Sequence, residues 1–310
     1  VSGSGPGRAR TVVFVLAPGL HLLDLAGPAQ VFSSASDHGA PYSLSYVGDE
    51  ETVATHQGLP LQTSTRWPDL GADDLVVVPG WRIGDGPPPM PLSREMLGRI
   101  ADHHERGGRV VSVCAGAFAL ARAGLLDGRR ATTHHDVQED LARLHPRVHV
   151  VEDVLYVSDD RVYSSAGIAS GIDLALHLVA LDHGPAVAAR VARTMVVYAR
   201  RNGSAAQASA MLRHRDHLAD VVHRAQDVID AEFRRSLPLG ELASSVGVSE
   251  RTLTRSFKEA TGTTPLRYQQ ELRVERAGHL VEQGWTHESA AHEVGFSDAR
   301  MLRRLRHTAD

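Results

Sequence analysis

Near its C-terminal end this 310-residue chain carries the same local pattern twice, and nothing else in it restricts the fold as much. The first copy is Leu239 to Ala260, LGELASSVGVSERTLTRSFKEA; the second is Thr286 to His307, THESAAHEVGFSDARMLRRLRH. Two helices can cross at a tight turn when three requirements are met. A small residue in the first helix admits the second, a glycine takes a positive φ at the turn, and an apolar residue in the second helix packs back on the first. Ala243, Gly247 and Leu253 meet them in the first copy. Ala291, Gly295 and Met301 meet them in the second, at the same offsets of four and six, with 48 positions between copies. Ser249 and Ser297 stand where a side chain would cap the second helix. One such pattern is common in helical proteins; two in one register point to paired helix-turn-helix units and so to double-stranded DNA as partner. Pro265 to Gln283 reads as a helix with apolar positions Leu266, Leu272, Ala277, Leu280 and Val281. It would be a rigid connector that sets the two recognition helices about 34 Å apart, the spacing of successive major grooves.

In the first recognition helix Arg251 and Arg255 are four apart and share a face, flanked by Thr252, Thr254 and Lys258. Arginine pairs bidentately with guanine O6 and N7, and a good pair discriminates by about 1–3 kcal/mol. Arg300, Arg303 and Arg304 are the candidates in the second helix. Solvated surface charge is the alternative reading for all of them. The formal net charge of −4 argues mildly against nucleic acid unless the acidic residues sit away from the DNA face. Lys258 is the only lysine. An arginine-dominated basic set suits guanine and phosphate, although GC-rich coding produces the same composition.

Residues 11–198 have a different texture. The apolar runs Thr11–Leu16, Tyr42–Val47, Asp74–Pro79 and Arg109–Val113 read as strands, with shorter ones around Ala131, Val148, Val154 and Val162. Helical runs lie between them: Leu22–Ser36, interrupted by Gly27-Pro28; Ser93–Arg106 with Ser93 as N-cap; Gly171–His183; and Pro185–Tyr198. Alternating strand and helix implies an α/β fold around a mostly parallel sheet. The Gly/Ser/Arg-rich residues 1–10 read as a disordered leader, the polar residues 199–215 as a linker, and 216–310 as the helical domain. There is no apolar run approaching ~20 residues, so no membrane span is expected. A single cysteine cannot form an internal disulfide, which makes the cytoplasm the expected compartment.

That cysteine, Cys114, stands between an apolar strand and a helix. A turn there, with Ala115 and Gly116 after it, lifts a thiol onto the carboxyl edge of the sheet. The helix N-terminus is expected to lower its pKa. The Ala115 N–H, with another near Gly80 or Trp81, could polarise a carbonyl oxygen. An inert buried cysteine fits the same spacing. His134 and His135 are available imidazoles, with no position relative to Cys114 that the sequence can assign.

Two resemblances rest on these residues. Leu239 to Gly262, with Pro265, Tyr268, Arg273, Ala277 and Val294-Gly295-Phe296, resembles the AraC/XylS family of transcription regulators; its F-x4-G-x2-P motif is Phe257, Gly262 and Pro265. The resemblance implies two helix-turn-helix subdomains joined by a helix. The chain stops at Asp310, before the Gly-x-x-Pro-x-x-Tyr-Arg segment common in that family, and Leu302 and Leu305 stand where an aromatic is common. The second reader is therefore expected to be looser and to serve phosphate contacts more than base readout. The runs 22–32, 76–81, 113–135 and 164–179 resemble the DJ-1/PfpI superfamily, whose flavodoxin-like fold is expected for residues 11–198. In that superfamily an acidic residue sits near the elbow cysteine, and Asp24 is the matching position. Ala115 stands where isonitrile hydratases carry threonine and the superfamily's proteases histidine. The domain order matches the GlxA/AdpA-type branch of AraC regulators. There the first domain is regarded as a dimerisation and ligand-sensing module, and Arg251 and Arg255 fall on base-reading arginines.

The expected function is sequence-specific transcription regulation by a homodimer with a small-molecule effector. Cys114, Asp24, Gly80 and Ala115 would form a vestigial or ligand site. No catalytic activity, cofactor or metal is expected. The alternative is a cysteine-dependent, isonitrile hydratase-like enzyme with a DNA-binding tail.

Overall fold

The computed structural model describes residues 8–84, 89–197, 203–204, 207, 214–215, 217–282 and 284–306. The chain divides into two compact units, Val1–Gln207 and Ala208–Asp310.

The first unit is built on strands β1 (Arg10–Val15), β2 (Tyr42–Val47), β5 (Leu75–Val78), β6 (Arg109–Val113), β9 (Tyr156–Asp159) and β10 (Val162–Ser165). They form one sheet in the order β2-β1-β5-β6-β10-β9, parallel except for the antiparallel edge strand β9. β5 is buried at every residue, as is β6 after Arg109, so both faces of the sheet are covered. Helices α1 (Leu22–Asp37), α5 (Ser170–His183) and α6 (Pro185–Thr194) pack together as one group, and α2 (Arg94–Glu105) and α3 (Gly116–Arg122) as another. A small hairpin, β3 (Thr52–Ala54) and β4 (Pro60–Gln62), the pair β7 (Arg130–Ala131) and β8 (His149–Val150), and helix α4 (Gln138–Leu144) complete it. This is the expected α/β architecture; β3, β4 and α4 are too short to show a period in the sequence.

Four local differences from the sequence reading have physical causes. The leader does not run to residue 10. Arg10 opens β1, and Arg8 reaches Asp74, whose carboxylate also accepts the N–H groups of Thr11 and Gly71. The remainder of that segment, residues 1–7, lies outside the described residues. Helix α1 continues through Gly27-Pro28 because that pair serves packing: a Cβ on Gly27 would stand 2.9 Å from Ile172 Cγ1, and Pro28 packs on Gly171. Helix α6 ends at Thr194, and Val196 takes φ 55°. Lastly, the described residues of the expected linker are attached. Gly203 accepts the Leu155 N–H and Gln207 ties to Thr133 in the first unit, whereas His214 and Arg215 bind Glu271, Asp227 and Asp230 in the second.

The second unit is helical among its described residues: α7 (Asp220–Glu232), α8 (Leu239–Ser245), α9 (Glu250–Thr261), α10 (Pro265–Glu282), α11 (His287–Glu293) and α12 (Ala299–Arg306). It holds two cores, and α10 serves both. Tyr268 and Leu272 join Val222, Ile229, Leu242, Leu253 and Phe257 in the first core. Val274, Ala277, Leu280 and Val281 join Ala290, Ala291, Val294, Leu302 and Leu305 in the second. Leu266, expected to be apolar contact, is instead exposed. The Phe-Gly-Pro motif has a mechanical reading here. Phe257 is fully buried, Gly262 ends α9 in the left-handed conformation, and Pro265 opens α10 where its missing N–H is not needed.

Candidate functional site

Helix α9 shows why the first helix-turn-helix can present an exposed basic surface. Ser249 caps it, its Oγ accepting the Thr252 N–H at 3.2 Å. Leu253 and Phe257 hold one face in the core, which turns Arg251, Arg255 and Lys258 outward. Arg255 has Glu259 at 4.0 Å, a contact at the limit of an ion pair. Thr252 is half-buried and hydrogen bonds to Ser249 Oγ. Thr254 is half-buried and lines an apolar cavity of about 270 Å³ with Ile229, Leu242, Thr264 and Pro265, which sets it apart from the exposed arginines.

The second helix-turn-helix repeats this surface in a register shifted by one residue. The cap is Asp298, not Ser297. Its Oδ1 accepts the N–H groups of Arg300 and Met301 at 2.8 and 3.0 Å, and these bonds hold its carboxyl below the usual range. The turn is thus one residue longer than in the first helix-turn-helix. Leu302 is buried where Leu253 is, while Met301, expected to fill that place, is half-buried. Counted from the caps, Arg300 corresponds to Arg251 and Arg304 to Arg255; Arg303 corresponds to Thr254. All three arginines are exposed. Arg304 Nη2 contacts Met301 Sδ at 3.1 Å.

The two subdomains are joined by more than the length of α10. Arg273, near the middle of that helix, donates to the Phe233, Arg235 and Gly295 carbonyls at 2.6, 2.8 and 2.9 Å and stacks over Phe296. Gln269 donates to the Phe233 and Arg235 carbonyls as well. Gly295 has φ 90°, and a Cβ there would stand 1.9 Å from the Arg234 carbonyl oxygen. Arg234 also pairs with Glu293 at 2.7 Å. The end of α7 and the second turn are therefore bolted to the same helix.

In the first unit, four parallel strands deliver their carboxyl ends to one place. Asp24 follows β1, Gly80 follows β5, Cys114 follows β6 and Gly167 follows β10. Cys114 has φ 53°, an unusual value for a residue with a side chain, which marks a built elbow. Close approach explains its glycines. A Cβ on Gly80 would meet Asp24 Oδ2 and Cys114 Cβ at 2.6 and 2.7 Å; one on Gly167 would meet Cys114 Cβ at 2.3 Å; one on Gly116 would meet the Val78 carbonyl oxygen at 2.0 Å. The sequence reading found Asp24, Gly80, Cys114 and Ala115, and these do converge. It missed Gly167 and Ile168. The latter takes φ 47° and donates its N–H to Asp24 Oδ1 at 2.6 Å.

The chemistry differs from the expectation. Burial pushes the Asp24 carboxyl up to about 6, against the Ile168 and Gly80 N–H groups and the Cys114 thiol that favour its charge. The thiol and the Gly80 N–H face Oδ2 without reaching full hydrogen-bond geometry. Burial, reinforced by the Asp24 carboxylate, pushes the Cys114 thiol well up, and the Ala115 N–H at the head of the short α3 lowers it too little to offset this. This direction is opposite to the lowering expected at a helix N-terminus, because burial and the neighbouring carboxylate outweigh the Ala115 N–H. The Gly80 and Ala115 amides bear on Asp24 and on the sulfur respectively.

His134 and His135 stand at the rim. With Gly167, Ile168, Ser170 and Gln207 they line a pocket of about 180 Å³. Burial, then the neighbouring His135, holds His134 below the usual imidazole value. His21 lies on the same edge, its ring 5.2 Å from that of His56, and burial followed by His56 lowers it too. Among the described residues no imidazole hydrogen bonds to Cys114, and the ionisable group against the thiol is the Asp24 carboxyl.

Comparison with known proteins agrees with both halves. Residues 10–181 match the DJ-1/PfpI family and residues 242–308 a helix-turn-helix domain. The chain is 32% identical over 224 residues to the HTH-type transcriptional regulator GbdR of Pseudomonas aeruginosa, an alignment that spans 70% of this chain and 59% of that regulator. It is 34% identical over 173 residues to an isonitrile hydratase of Pseudomonas putida, covering 55% of this chain and 71% of that enzyme. An AraC family transcriptional regulator from Pseudomonas putida shares the fold, with a TM-score of 0.52 at 23% identity over 60% of this chain and 99% of that one. The chain belongs to the DJ-1/PfpI family and carries a helix-turn-helix domain C-terminal to that fold in the sequence.

Proposed function

We propose that the protein is a sequence-specific, double-stranded-DNA-binding transcription regulator of the cytoplasm, and that its first unit forms a homodimer and receives a small-molecule effector in the pocket beside the elbow. The observation that carries this reading is the repeated arginine pair, Arg251/Arg255 and Arg300/Arg304, at equivalent exposed positions of two recognition helices. Thr252, Lys258 and Arg303 border those pairs and suit phosphate contacts, which orient the protein without reading bases. The similarity to GbdR supports the same reading. Genome-wide pull-down of DNA by the purified protein tests it. Enrichment of one shared motif is expected, and recovery of fragments without a common sequence would overturn it.

The isonitrile hydratase relative keeps an enzymatic reading in view. A buried thiol with a raised pKa and no imidazole partner among the described residues favours a receptor over a catalyst. Incubation with isonitriles, α-oxoaldehydes and peptides is expected to give no turnover; turnover abolished by Cys114→Ala would establish the enzyme instead.

A further inference from the structure

One wall of the elbow pocket is made by the residue at which the first unit ends. Gln207 lines the pocket of about 180 Å³ with Gly167, Ile168 and Ser170, and the chain passes from it into the helix-turn-helix unit. Its carboxamide is bound as a ligand would be. Oε1 accepts the His135 N–H at 3.0 Å, and Nε2 donates to the Thr133 carbonyl at 3.0 Å. Its main-chain N–H donates to Asp153 Oδ1 at 2.9 Å, and Asp153 itself is held at φ 47°. We propose that the Gln207 side chain is an internal stand-in for the effector, and that a small molecule bearing a primary carboxamide displaces it from the His135 N–H and the Thr133 carbonyl.

With the pocket read as the effector's, on which the proposal rests, the lining decides the ligand's chemistry. Several of its polar groups are already engaged within the first unit. Ser170 Oγ accepts the Gly167 N–H and donates to the Gly167 carbonyl, the Ile168 N–H goes to Asp24, and His134 Nδ1 accepts the Asp136 N–H. The pair held by Gln207 offers a donor and an acceptor side by side, and it selects among ligands. The Thr133 carbonyl has Gln138 Nε2 as one donor, at 3.2 Å, and Gln207 as another. A carboxylate would set an oxygen where the Gln207 donor stands, and a ketone would supply no donor there. A primary amide replaces both partners of the pair, so neither backbone group is left unsatisfied. The pair also reaches the elbow, since Thr133 Oγ1 donates to the Cys114 carbonyl at 2.8 Å. Upstream of Gln207, the Gly203 carbonyl accepts the Leu155 and Tyr156 N–H groups at 2.8 and 3.2 Å, and a Cβ on Gly203 would stand 2.7 Å from the Tyr156 carbonyl oxygen. Gly203 and Gln207 thus tie to the first unit the chain that leads to the second, and displacement of Gln207 loosens that tie.

The test uses the full chain without DNA, so its failure leaves sequence-specific DNA binding standing, and failure of DNA selection leaves its outcome standing. Propionamide, propionate and butanone serve as probes of matched size. Binding is followed by ligand-observed NMR, and the tie by hydrogen exchange of the Leu155 and Tyr156 amides. Propionamide is expected to bind Gln207→Ala about tenfold more tightly than the parent, because the competing carboxamide is gone, while propionate and butanone bind neither protein saturably. In the parent, excess propionamide is expected to speed exchange at Leu155 and Tyr156 about fivefold, toward the rate of Gln207→Ala without a ligand. Gln207→Glu keeps the length of the side chain and loses the donor, so it should exchange like Gln207→Ala. Equal propionamide affinity of the parent and Gln207→Ala would overturn the proposal by making Gln207 an ordinary structural contact. Preference of Gln207→Ala for propionate or butanone over the amide would overturn it too.

Discussion

At the scale of the residue, the clearest consequences lie at Asp24 and at the two turn glycines. The folded chain holds the Asp24 proton more tightly than the unfolded chain, since the carboxyl is raised from 3.8 to about 6. Stability from this group is therefore complete below the unfolded value and is lost as pH rises toward about 6. Asp24→Asn removes that loss. Its stability relative to the parent is expected to climb by on the order of 3 kcal/mol between pH 4 and 7 and then level off. Thermal melts at three pH values would read this, and a difference independent of pH would contradict it. The same substitution removes the carboxylate that holds the thiol proton. Cys114 alkylation by iodoacetamide, followed by mass spectrometry at pH 8, is expected to run at least tenfold slower than for free cysteine and to quicken in Asp24→Asn. The turn glycines separate conformation from contact. Gly247 has φ 75° and open space around it, so Gly247→Ala should cost about 1 kcal/mol. Gly295→Ala adds collision with the Arg234 carbonyl and should cost more than twice as much in a denaturant titration.

At the scale of the element, the sequence pattern read well wherever one period ran long enough. The strands Tyr42–Val47 and Arg109–Val113 appear with their expected ends, and Ser93 caps α2 as its position implied. The second recognition helix was misplaced by one residue. Aligning the copies on Gly247 and Gly295 assumes equal turns, whereas Asp298 outcompetes Ser297 by accepting two N–H groups. The shift is testable. Leu302→Ala is expected to lose about 2–5 kcal/mol of local stability and Met301→Ala well under half of that, by hydrogen exchange of α11 and α12. Equal losses would restore the unshifted register. The elbow was readable only as a list of residues. Asp24, Gly80 and Cys114 are far apart in sequence, and it is the parallel strand order that brings them together. The thiol's raised pKa depends on burial, which no spacing conveys. The role of Arg273 was hidden for the same reason: its three carbonyl partners come from the end of α7 and the second turn. Arg273→Ala should weaken operator binding mainly at the half-site of the second helix.

At the scale of the whole molecule, a DJ-1/PfpI fold and a helix-turn-helix domain share one chain, and no described helix is long and apolar enough to cross a membrane. The net charge of −4 stands beside two helices whose exposed basic residues, among the described side chains, are Arg251, Arg255, Lys258, Arg300, Arg303 and Arg304. A mild overall charge is thus compatible with a locally basic reading edge. The most direct measurement is selection of binding sites from random DNA at fixed salt, with the parent protein, Arg251→Ala/Arg255→Ala, Arg300→Ala/Arg304→Ala and Lys258→Ala compared. The parent should select two guanine-containing blocks about one helical turn apart. Each arginine pair should relax one block only, and Lys258→Ala should weaken binding without changing the motif. Loss of affinity without any change in the selected sequence, in both arginine variants, would contradict base reading by these helices.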